Sequence, residues 1–195
     1  MTYTSRRPRV LVDVDGVLAD FMGAALKIIN RELGTLHVIE DVTEFDFAKA
    51  LGLSAMDATT VKRAIGNEPR LAAGLGVLAG SVDGMRALRS VSDVYIVTSS
   101  WDSNETWEFD RKAWLRRNFD IHHHEIVFTA AKHVCGGDFL VDDRTETLVR
   151  WQAEHPSGRA VQWRTLHNRR DEWNGISTAS WGKIIDLVRR RVGCP

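Results

Sequence analysis

Acidic side chains stand directly after two apolar runs of this sequence. The first run ends in Asp13 and Asp15, which a single residue separates, and a later run ends in Asp142 and Asp143. Because unpaired carboxylates are costly to bury, such residues fit the carboxyl ends of sheet strands, where open α/β folds place their ligands. A divalent cation there would offset the repulsion between the carboxylates, and ligands that are all oxygen favour Mg²⁺. The pattern predicts a Mg²⁺ and phosphate site in which one aspartate is available as a nucleophile.

Hydroxyl and ammonium groups accompany these carboxylates. Thr98 and Ser99 end another apolar run and can donate hydrogen bonds to phosphate oxygens, and Lys132 adds a cation just past a third run. A carboxylate that attacks a phosphate dianion meets like-charge repulsion, which a divalent cation and a lysine can relieve together. The set therefore predicts phosphoryl-transfer chemistry.

Each of these features alone has an ordinary structural explanation. Asp-Val-Asp-Gly occurs where a strand runs into an Asx turn, a Thr-Ser pair commonly caps a helix, and Asp142-Asp143 could do the same. A single lysine such as Lys132 is usually a solvated surface group. The functional interpretation rests on their order, since all four features fall at strand ends in a βα series.

Apolar runs that alternate with helical patterns predict an α/β protein with a parallel sheet and right-handed crossovers. Five strands are expected, one starting at Arg9 and the others at Val94–Ser99, Ile126–Phe128, Phe139–Val141 and Ala160–Trp163. Helices are expected at Phe21–Leu33 with Gly34 as the stop, at Ser54–Ile65 with Gly66 as the stop, and at Val82–Leu88, Glu105–Asn118, Glu146–Glu154 and Ile176–Val192. The predicted architecture is a Rossmann-like, five-stranded sheet flanked by helices.

The stretch 22–80 is too long for one crossover between strands. It holds two helical patterns, a glycine-rich return over Leu71–Gly80 that reads as a mobile crossing, and no convincing strand. We therefore predict a small helical cap at 22–80, inserted after the first strand and lying over the site. The catalytic core is expected to comprise residues 1–21 and 81–195.

Composition limits the partners. Lys plus Arg equals Asp plus Glu at 26 each, which argues against a nucleic acid polymer as the main partner. The two cysteines, Cys135 and Cys194, make no disulfide framework and suit a reducing compartment. No run has the length of a membrane span, and the N-terminus lacks the apolar segment of a signal peptide. We expect a cytoplasmic protein that does not bind membranes, with the oligomeric state left open and a homodimer among the options.

The motifs closely resemble those of the haloacid dehalogenase-like (HAD) phosphohydrolase superfamily. They are DVDGV, VTSS after the second strand, Lys132, and LVDDR. Within that superfamily the chain is most similar to the 5′(3′)-deoxyribonucleotidase family, on the stretches VLVDVDGVLADF, IVTSSW and GGDFLVDDR and the late Leu166-His167-Asn168. The resemblance implies a Rossmann-like HAD fold and a Mg²⁺-dependent phosphomonoesterase that acts on nucleoside monophosphates, small molecules with deoxy sugars.

The resemblance also implies roles for the acidic residues. Asp13 would be the nucleophile and form an aspartyl-phosphate, which water later hydrolyses. Asp15 would protonate the leaving oxygen and then activate that water. The Mg²⁺ ligands would be Asp13, the backbone carbonyl of Asp15 and Asp143. Asp142 would belong to the metal site just outside these direct ligands.

Further roles concern the substrate. By the same resemblance Thr98, Ser99 and Lys132 would hold the phosphate, and Phe21 would contact the nucleoside. Arg111 lies where the family places a further phosphate or sugar contact, a role that the acidic Asp102 fits poorly.

One departure from the family pattern concerns the base pocket. Similar nucleotidases carry two adjacent aromatic residues in the insertion, and this chain has Leu71 and Ala72 at those places. Trp101, just after the second strand, could supply a replacement surface, although an indole there is more often a packing residue. The departure leaves the identity of the base open.

Three alternatives to a nucleotidase remain. The same chemistry could act on another small phosphate, such as a sugar phosphate. A non-catalytic module could retain the fold to bind nucleotides, although nothing catalytic is missing from the motifs. A dehalogenase fits less well, because such enzymes attack carbon and do not need Asp15 or the pair Asp142-Asp143.

Overall fold

A six-stranded parallel sheet forms the centre of the molecule. The computed structural model describes residues 6–191, so Cys194 and Val192 lie outside the described residues. The strands lie in the order β3-β2-β1-β4-β5-β6 and every neighbouring pair is parallel. Their bounds are β1 Arg9–Val12, β2 Asp93–Thr98, β3 Ile126–Phe128, β4 Phe139–Asp142, β5 Arg159–Trp163 and β6 Ile176–Thr178. The predicted α/β class with a parallel sheet is confirmed.

Eight α-helices accompany the sheet within the described range 6–191. They are α1 Phe21–Leu33, α2 Phe47–Ala50, α3 Ala55–Asn67, α4 Leu71–Gly74, α5 Ser81–Val91, α6 Trp107–Phe119, α7 Thr145–Glu154 and α8 Trp181–Arg191. Short 3-10 turns cover Ile39–Asp41, His123–Glu125 and Lys132–Val134. None of the helices within 6–191 is both long and apolar enough to cross a bilayer.

The central strand β1 is buried on both faces. Val10 and Val12 belong to the larger hydrophobic cluster, which includes residues of α5, α6 and α8, whereas Leu11 joins a second cluster with Leu148 and Trp151 of α7. This burial explains why β1 reads as a continuous apolar run rather than an alternating one. Its two faces are committed to packing, so polar groups can follow only at its end.

The sheet has one strand more than predicted. The sequence pattern predicts a helix from Ile176 to Val192, but Ile176–Thr178 forms β6, which pairs with β5, and α8 begins only at Trp181. A three-residue edge strand that includes Ser177 and Thr178 is too short and too polar to show a period of two. Its backbone is held by pairing with a partner about 15 residues away in the chain, Val161 to Ile176 and Gln162 to Ser177.

Local signals define the helices of the inserted stretch. Asp20 accepts a hydrogen bond from the Gly23 amide at 2.9 Å and caps α1, and Gly34 ends it at φ 65°, as predicted. Gly66 does not stop α3, which continues to Asn67. A Cβ on Gly66 would lie 2.1 Å from Ser103 Oγ, so this glycine permits close packing of α3 against the loop after β2.

The segment 71–80 is attached to helix α6. Trp114 Nε1 donates to the Leu75 carbonyl at 2.7 Å, and Arg117 Nη2 donates to the Ala73 carbonyl at 2.8 Å. The Asp20 amide donates to the Gly76 carbonyl at 2.9 Å, which connects this segment to the residue that caps α1. The stretch expected as a mobile crossing thus contains the helix α4 and several hydrogen bonds to the core. The division into a core and a cap at 22–80 stays a prediction.

Candidate active site

A cavity of about 610 Å³ opens at the carboxyl ends of the strands. This edge is where open parallel sheets place ligands, and the volume suits a small organic molecule. Polar side chains from the ends of β1, β2 and β4 and from the loop after β3 line its floor, namely Asp13, Asp15, Thr98, Ser99, Lys132 and Asp143. Apolar side chains line its walls, among them Phe21, Met22, Ile39, Val42, Phe45, Phe47, Trp101 and Trp107.

A buried ammonium group joins the two aspartate pairs. Lys132 Nζ lies 2.7 Å from Asp13 Oδ1 and 2.7 Å from Asp142 Oδ2. All three side chains are buried, and Asp143 is buried beside them. Lys132 follows β3, which lies two strands away from β1, so the fold brings it to the carboxylates across the sheet edge.

Burial and charge together shift the pKa values of this cluster. Burial raises the pKa of Asp13 well above its usual value; Lys132 opposes the rise, and the neighbouring carboxylates of Asp142, Asp143 and Asp15 add to it. Burial also raises the pKa of Asp142 against the pull of Lys132. Burial alone would lower the pKa of Lys132, but Asp13 and Asp142 outweigh it and the pKa is raised. Three buried carboxylates thus face one ammonium group, which leaves a deficit of positive charge.

The deficit lies where a metal ion would fit. Oxygen atoms of Asp13, Asp142 and Asp143 all lie within 4.8 Å of one another. Gly16, at φ +75°, leaves room for this group, because a Cβ there would stand 1.9 Å from Asp143 Oδ2. Carboxylate oxygens are the donors that hard divalent cations prefer. These residues fit a site for a hard cation.

The hydroxyl groups at the end of β2 and directly after it face the same cavity. Thr98 is fully buried, and its Oγ1 has no hydrogen-bond partner within residues 6–191. Among the described residues, the one hydrogen bond of Ser99 Oγ is donated to the Thr129 carbonyl and is long, at 3.3 Å. Buried hydroxyls usually have partners, so the unpartnered Thr98 hydroxyl is suited to receive a ligand. Both predicted phosphate-binding hydroxyls therefore lie at the floor.

Arg111 lies behind Asp15. Its Nη2 donates to both carboxylate oxygens of Asp15, at 2.8 and 2.9 Å. Arg111 has no accessible surface and does not line the cavity, whereas the Asp15 side chain is 28% exposed and does. The predicted contact of Arg111 with phosphate or sugar stays a prediction. Asp102 also lies outside the cavity lining.

Aromatic rings form one wall. Phe21 lies 5.6 Å from Trp101 and 6.1 Å from Trp107, measured between ring centroids, and the two indoles are 6.4 Å apart. Leu71 and Ala72 are buried and do not line the cavity. The aromatic surface thus comes from α1, the loop after β2 and the start of α6, and not from the positions that face the base in similar nucleotidases.

A second set of contacts lies at the mouth of the cavity, and the sequence pattern assigned no role to Phe45 or His167. The Phe45 ring lies 5.8 Å from the His167 ring, edge to face, and the Arg144 guanidinium lies 4.6 Å from the Phe45 centroid. His167 Nε2 is 3.1 Å from Asp143 Oδ2. Asn168 Nδ2 donates to the carbonyls of Asp143 and Trp163, each at 2.8 Å, and so fixes the loop after β5.

A signal for part of this set was available. His167 and Asn168 follow the apolar strand β5, the same placement that singled out the residues after β1, β2 and β4. Phe45 lies in an irregular stretch of the insertion with no periodicity, and only the tertiary structure brings it to the mouth.

The chain is similar to known proteins over almost its whole length. The model of the family described as 5′ nucleotidase, deoxy (Pyrimidine), cytosolic type C protein matches residues 7–192. This chain belongs to that family. The 5′(3′)-deoxyribonucleotidase family assignment made from the motifs is thereby confirmed. The mitochondrial 5′(3′)-deoxyribonucleotidase of Mus musculus is 29% identical to this family member over 203 residues, which is 96% of this chain and 90% of the mouse protein.

Solved structures share the fold of this deoxyribonucleotidase-family protein. A HAD family hydrolase from Deinococcus radiodurans R1, with bound phosphate and sodium, gives a TM-score of 0.59 at 14% identity and covers 96% of each chain. A candidate HAD-hydrolase from Bacillus subtilis, bound to magnesium, gives 0.57 at 14% identity and covers 94% of this chain and 99% of the other. The HAD-like fold is confirmed, and the family makes the protein a phosphoric monoester hydrolase.

Proposed function

We propose that the protein hydrolyses nucleoside monophosphates, with deoxyribonucleotides preferred, in a Mg²⁺-dependent reaction through an aspartyl-phosphate on Asp13. The observation that carries this proposal is the position of the Asp13 carboxylate. It lies at the cavity floor, 2.7 Å from the Lys132 ammonium group and beside Asp142 and Asp143. The names of the relatives support a deoxyribonucleotide substrate.

The first step is attack on phosphorus. A carboxylate oxygen of Asp13 forms a bond to phosphorus while the bond from phosphorus to the sugar oxygen breaks, and Asp15 gives that oxygen a proton. The nucleoside then leaves. Asp15, now ionised, takes a proton from a water molecule that attacks phosphorus, and the bond to Asp13 breaks. The products are a nucleoside and inorganic phosphate.

Charge at the floor supports this chemistry. Thr98 and Ser99 would donate hydrogen bonds to the phosphate oxygens, and Lys132 would place its ammonium group beside the transferred group. Asp142 also contacts Lys132, at 2.7 Å, and so helps to hold the ammonium group beside Asp13. The floor is therefore assembled before a substrate arrives.

The Mg²⁺ ion would be held by Asp13, the backbone carbonyl of Asp15 and Asp143. When bound, it would supply the positive charge that offsets the phosphate dianion and the three buried carboxylates. The Bacillus subtilis structure, which shares the fold, is bound to magnesium, and this supports the choice of ion.

The nucleoside would lie against the aromatic wall. Phe21 and Trp101 offer ring surfaces beside the polar floor, and bases stack well on such rings. A helical cap at 22–80 would cover the substrate and exclude water, with α4 fixed to α6. We place the protein in the cytoplasm; the matched family is described as a cytosolic type, although the mouse relative is mitochondrial.

A second candidate is a phosphatase of another small phosphate, such as a sugar phosphate. It is favoured by one observation, the burial of Leu71 and Ala72 away from the cavity, at the positions where similar nucleotidases present an aromatic pair. A non-catalytic nucleotide-binding module has less support, since the floor retains every reactive group.

A phosphate-release screen tests the proposal. The purified protein is offered deoxyribonucleoside monophosphates, ribonucleoside monophosphates and sugar phosphates, each with Mg²⁺ or with EDTA. We expect release from nucleotides, with a preference for deoxy forms, and none in EDTA. Preferential release from sugar phosphates would favour the second candidate. Tight nucleotide binding in calorimetry without any phosphate release would instead support the non-catalytic module.

Metal binding can be measured separately from activity, through the thermal stability of the protein. An ion that binds the folded state alone raises the free energy of unfolding by about 2.7 kcal/mol at a hundredfold excess over its dissociation constant. We expect Mg²⁺ to raise the melting temperature of the protein in the absence of substrate. Equal melting temperatures in Mg²⁺ and in EDTA would contradict a metal at this cluster.

A further inference from the structure

Arg111 is a buried cation whose charge is committed to one carboxylate. Its side chain has no accessible surface, and its Nη2 contacts both oxygens of Asp15 at 2.8 and 2.9 Å. Nε and Nη1 have no hydrogen-bond partner among the described residues. An arginine is costly to bury unless it is paired. Asp15 is therefore the group that offsets the cost of burying this guanidinium.

Two indole rings limit where the guanidinium can lie. The Arg111 Cζ atom is 4.9 Å from the Trp107 ring centroid and 5.8 Å from that of Trp114, within the range of cation–π contacts. Trp114 is itself held by its hydrogen bond to the Leu75 carbonyl at 2.7 Å. These contacts leave the Arg111 side chain little conformational freedom. Its hydrogen bonds to Asp15 in turn restrict the orientation of that carboxylate.

The two partners face different environments. Asp15 lines the cavity and is partly exposed, whereas Arg111 lies on the side of Asp15 away from the cavity. A substrate in the cavity would meet Asp15 and not the guanidinium. This geometry differs from the role that the family resemblance implies for Arg111, which is direct contact with phosphate or sugar.

We propose that Arg111 is a positioning residue that fixes the orientation of the Asp15 carboxylate toward the cavity. The inference rests on the proposed function, in which Asp15 moves a proton to the leaving oxygen and later from water. Proton transfer needs the carboxylate within hydrogen-bond reach of the reacting oxygen. Asp15 has two side-chain torsions, and Arg111 holds both through its contact with the two oxygens.

The main test compares two esters. The variants are Arg111→Met, which removes the donor, and Arg111→Lys, which keeps the charge on a shorter and differently shaped head. A deoxyribonucleoside monophosphate needs a proton on its leaving oxygen, whereas p-nitrophenyl phosphate loses a stable phenolate without one. For each ester, two measurements are made. The release of the first product is followed during the first turnover, and kcat and KM are determined at steady state.

We expect Arg111→Met to lower kcat for the nucleotide by about 100-fold, the size of effect that a misplacement of about 1 Å causes. The KM should change by less than about twofold. First-turnover release from p-nitrophenyl phosphate should fall much less. Arg111→Lys should recover part of the loss. The control is Lys112→Met, which removes an exposed cation from the next position of α6 and should leave all rates unchanged.

A double-mutant cycle tests whether Arg111 acts through Asp15. In an Asp15→Asn background, adding Arg111→Met should cause no further loss of first-turnover rate, because the two changes remove one function. A loss of similar size in both backgrounds would show a role independent of Asp15 and would overturn the inference.

The remaining outcomes each have a defined meaning. A raised KM with unchanged kcat in Arg111→Met would overturn the positioning role in favour of substrate contact. If Arg111→Met does not fold, the same comparison is made with Arg111→Lys. Equal losses of first-turnover rate on the two esters would then count against a positioning role. If the unmodified protein hydrolyses no phosphate ester, the proposed function fails and the inference with it. If the unmodified protein is active and both variants match it, the inference alone fails.

Discussion

The floor and the apolar walls of the cavity are built in different ways. The floor residues Asp13, Lys132 and Asp143 come from strand ends or the loops beside them and are almost completely buried. The walls include Phe45 and Ile39, which are 49% and 38% exposed and come from an irregular stretch between α1 and α2. The proposed chemistry, which needs fixed distances, thus lies at the sheet edge. Much of the surface proposed to contact the substrate lies on loops and on the stretch between β1 and β2, where change is tolerated better.

The comparison predicts that damage to the floor acts on the rate, and on stability where it removes the buried cation, whereas damage to the walls acts on substrate affinity. The four predictions below test this division, and they run from the largest expected effect to the smallest.

Asp13→Asn should abolish turnover, with a loss of kcat of about 10⁴-fold or more, because the amide cannot form the aspartyl-phosphate. The same change removes one of three crowded carboxylates and leaves Lys132 paired with Asp142. The melting temperature in EDTA should therefore not fall. Phosphate release and thermal unfolding measure the two effects.

The matched control is Asp138→Asn, at the opposite end of β4, where the carboxylate pairs with Arg6 and the Arg9 amide. It should keep full activity. An Asp13→Asn variant with activity close to that of the unmodified protein would refute the assignment of the nucleophile.

Lys132→Met should lower both rate and stability. It leaves Asp13 and Asp142 buried without a cation, and breaking a buried pair costs about 3 kcal/mol or more. We expect kcat to fall by about 10³-fold, since the variant also removes a cation from the transition state.

Denaturant titration in EDTA measures the stability of this variant, and Lys183→Met, on an exposed position of α8, serves as its control. Unchanged stability in EDTA would show that the ammonium group does not hold the floor together.

Gly16→Ala should reduce activity by about 10- to 100-fold, in the range seen when groups that support metal ligands are changed. The new Cβ would stand 1.9 Å from Asp143 Oδ2 and displace it. The apparent affinity for Mg²⁺, read from the metal dependence of kcat, should fall in parallel.

Gly52→Ala is the control that separates the effect of backbone strain from the effect of the clash with Asp143. Gly52 has φ +62°, and a Cβ there would meet nothing within 4 Å. It should lose stability through strain but keep its Mg²⁺ dependence. Equal behaviour of the two variants would argue that the clash with Asp143 is unimportant.

Trp101→Ala should have the smallest effect and act on affinity. We expect KM for nucleoside monophosphates to rise about 10-fold, the equivalent of losing about 1–2 kcal/mol of stacking, with kcat within about twofold. KM for a small sugar phosphate should change less. Phe109→Ala, which removes an exposed ring from α6 outside the cavity, is the control. A fall in kcat alone would place Trp101 with the floor.

Much of the floor could be predicted from the sequence because its signals are local. An apolar run that ends in acidic residues indicates both a strand and the polar groups at its end. The placement of Asp13 and Asp143 could therefore be predicted without knowledge of distant contacts. The helix α1 could be predicted equally well, since its helical pattern begins at Phe21 and Gly34 marks its end, and the structure adds Asp20 as the N-cap. Residues without such signals, Phe45 above all, could not be found in this way.

The sequence by itself determined the parallel α/β class, the family and the carboxylates at the strand ends, because each depends on residues that are neighbours in the chain. Only the tertiary structure decided the sixth strand, whose hydrogen bonds come from β5, and the pairing of Arg111 with Asp15, which lie 96 residues apart. Which side of Asp15 the arginine occupies depends on how α6 packs against the sheet and on the indoles of Trp107 and Trp114. Packing of this kind depends on the whole core and produces no periodic pattern in the sequence.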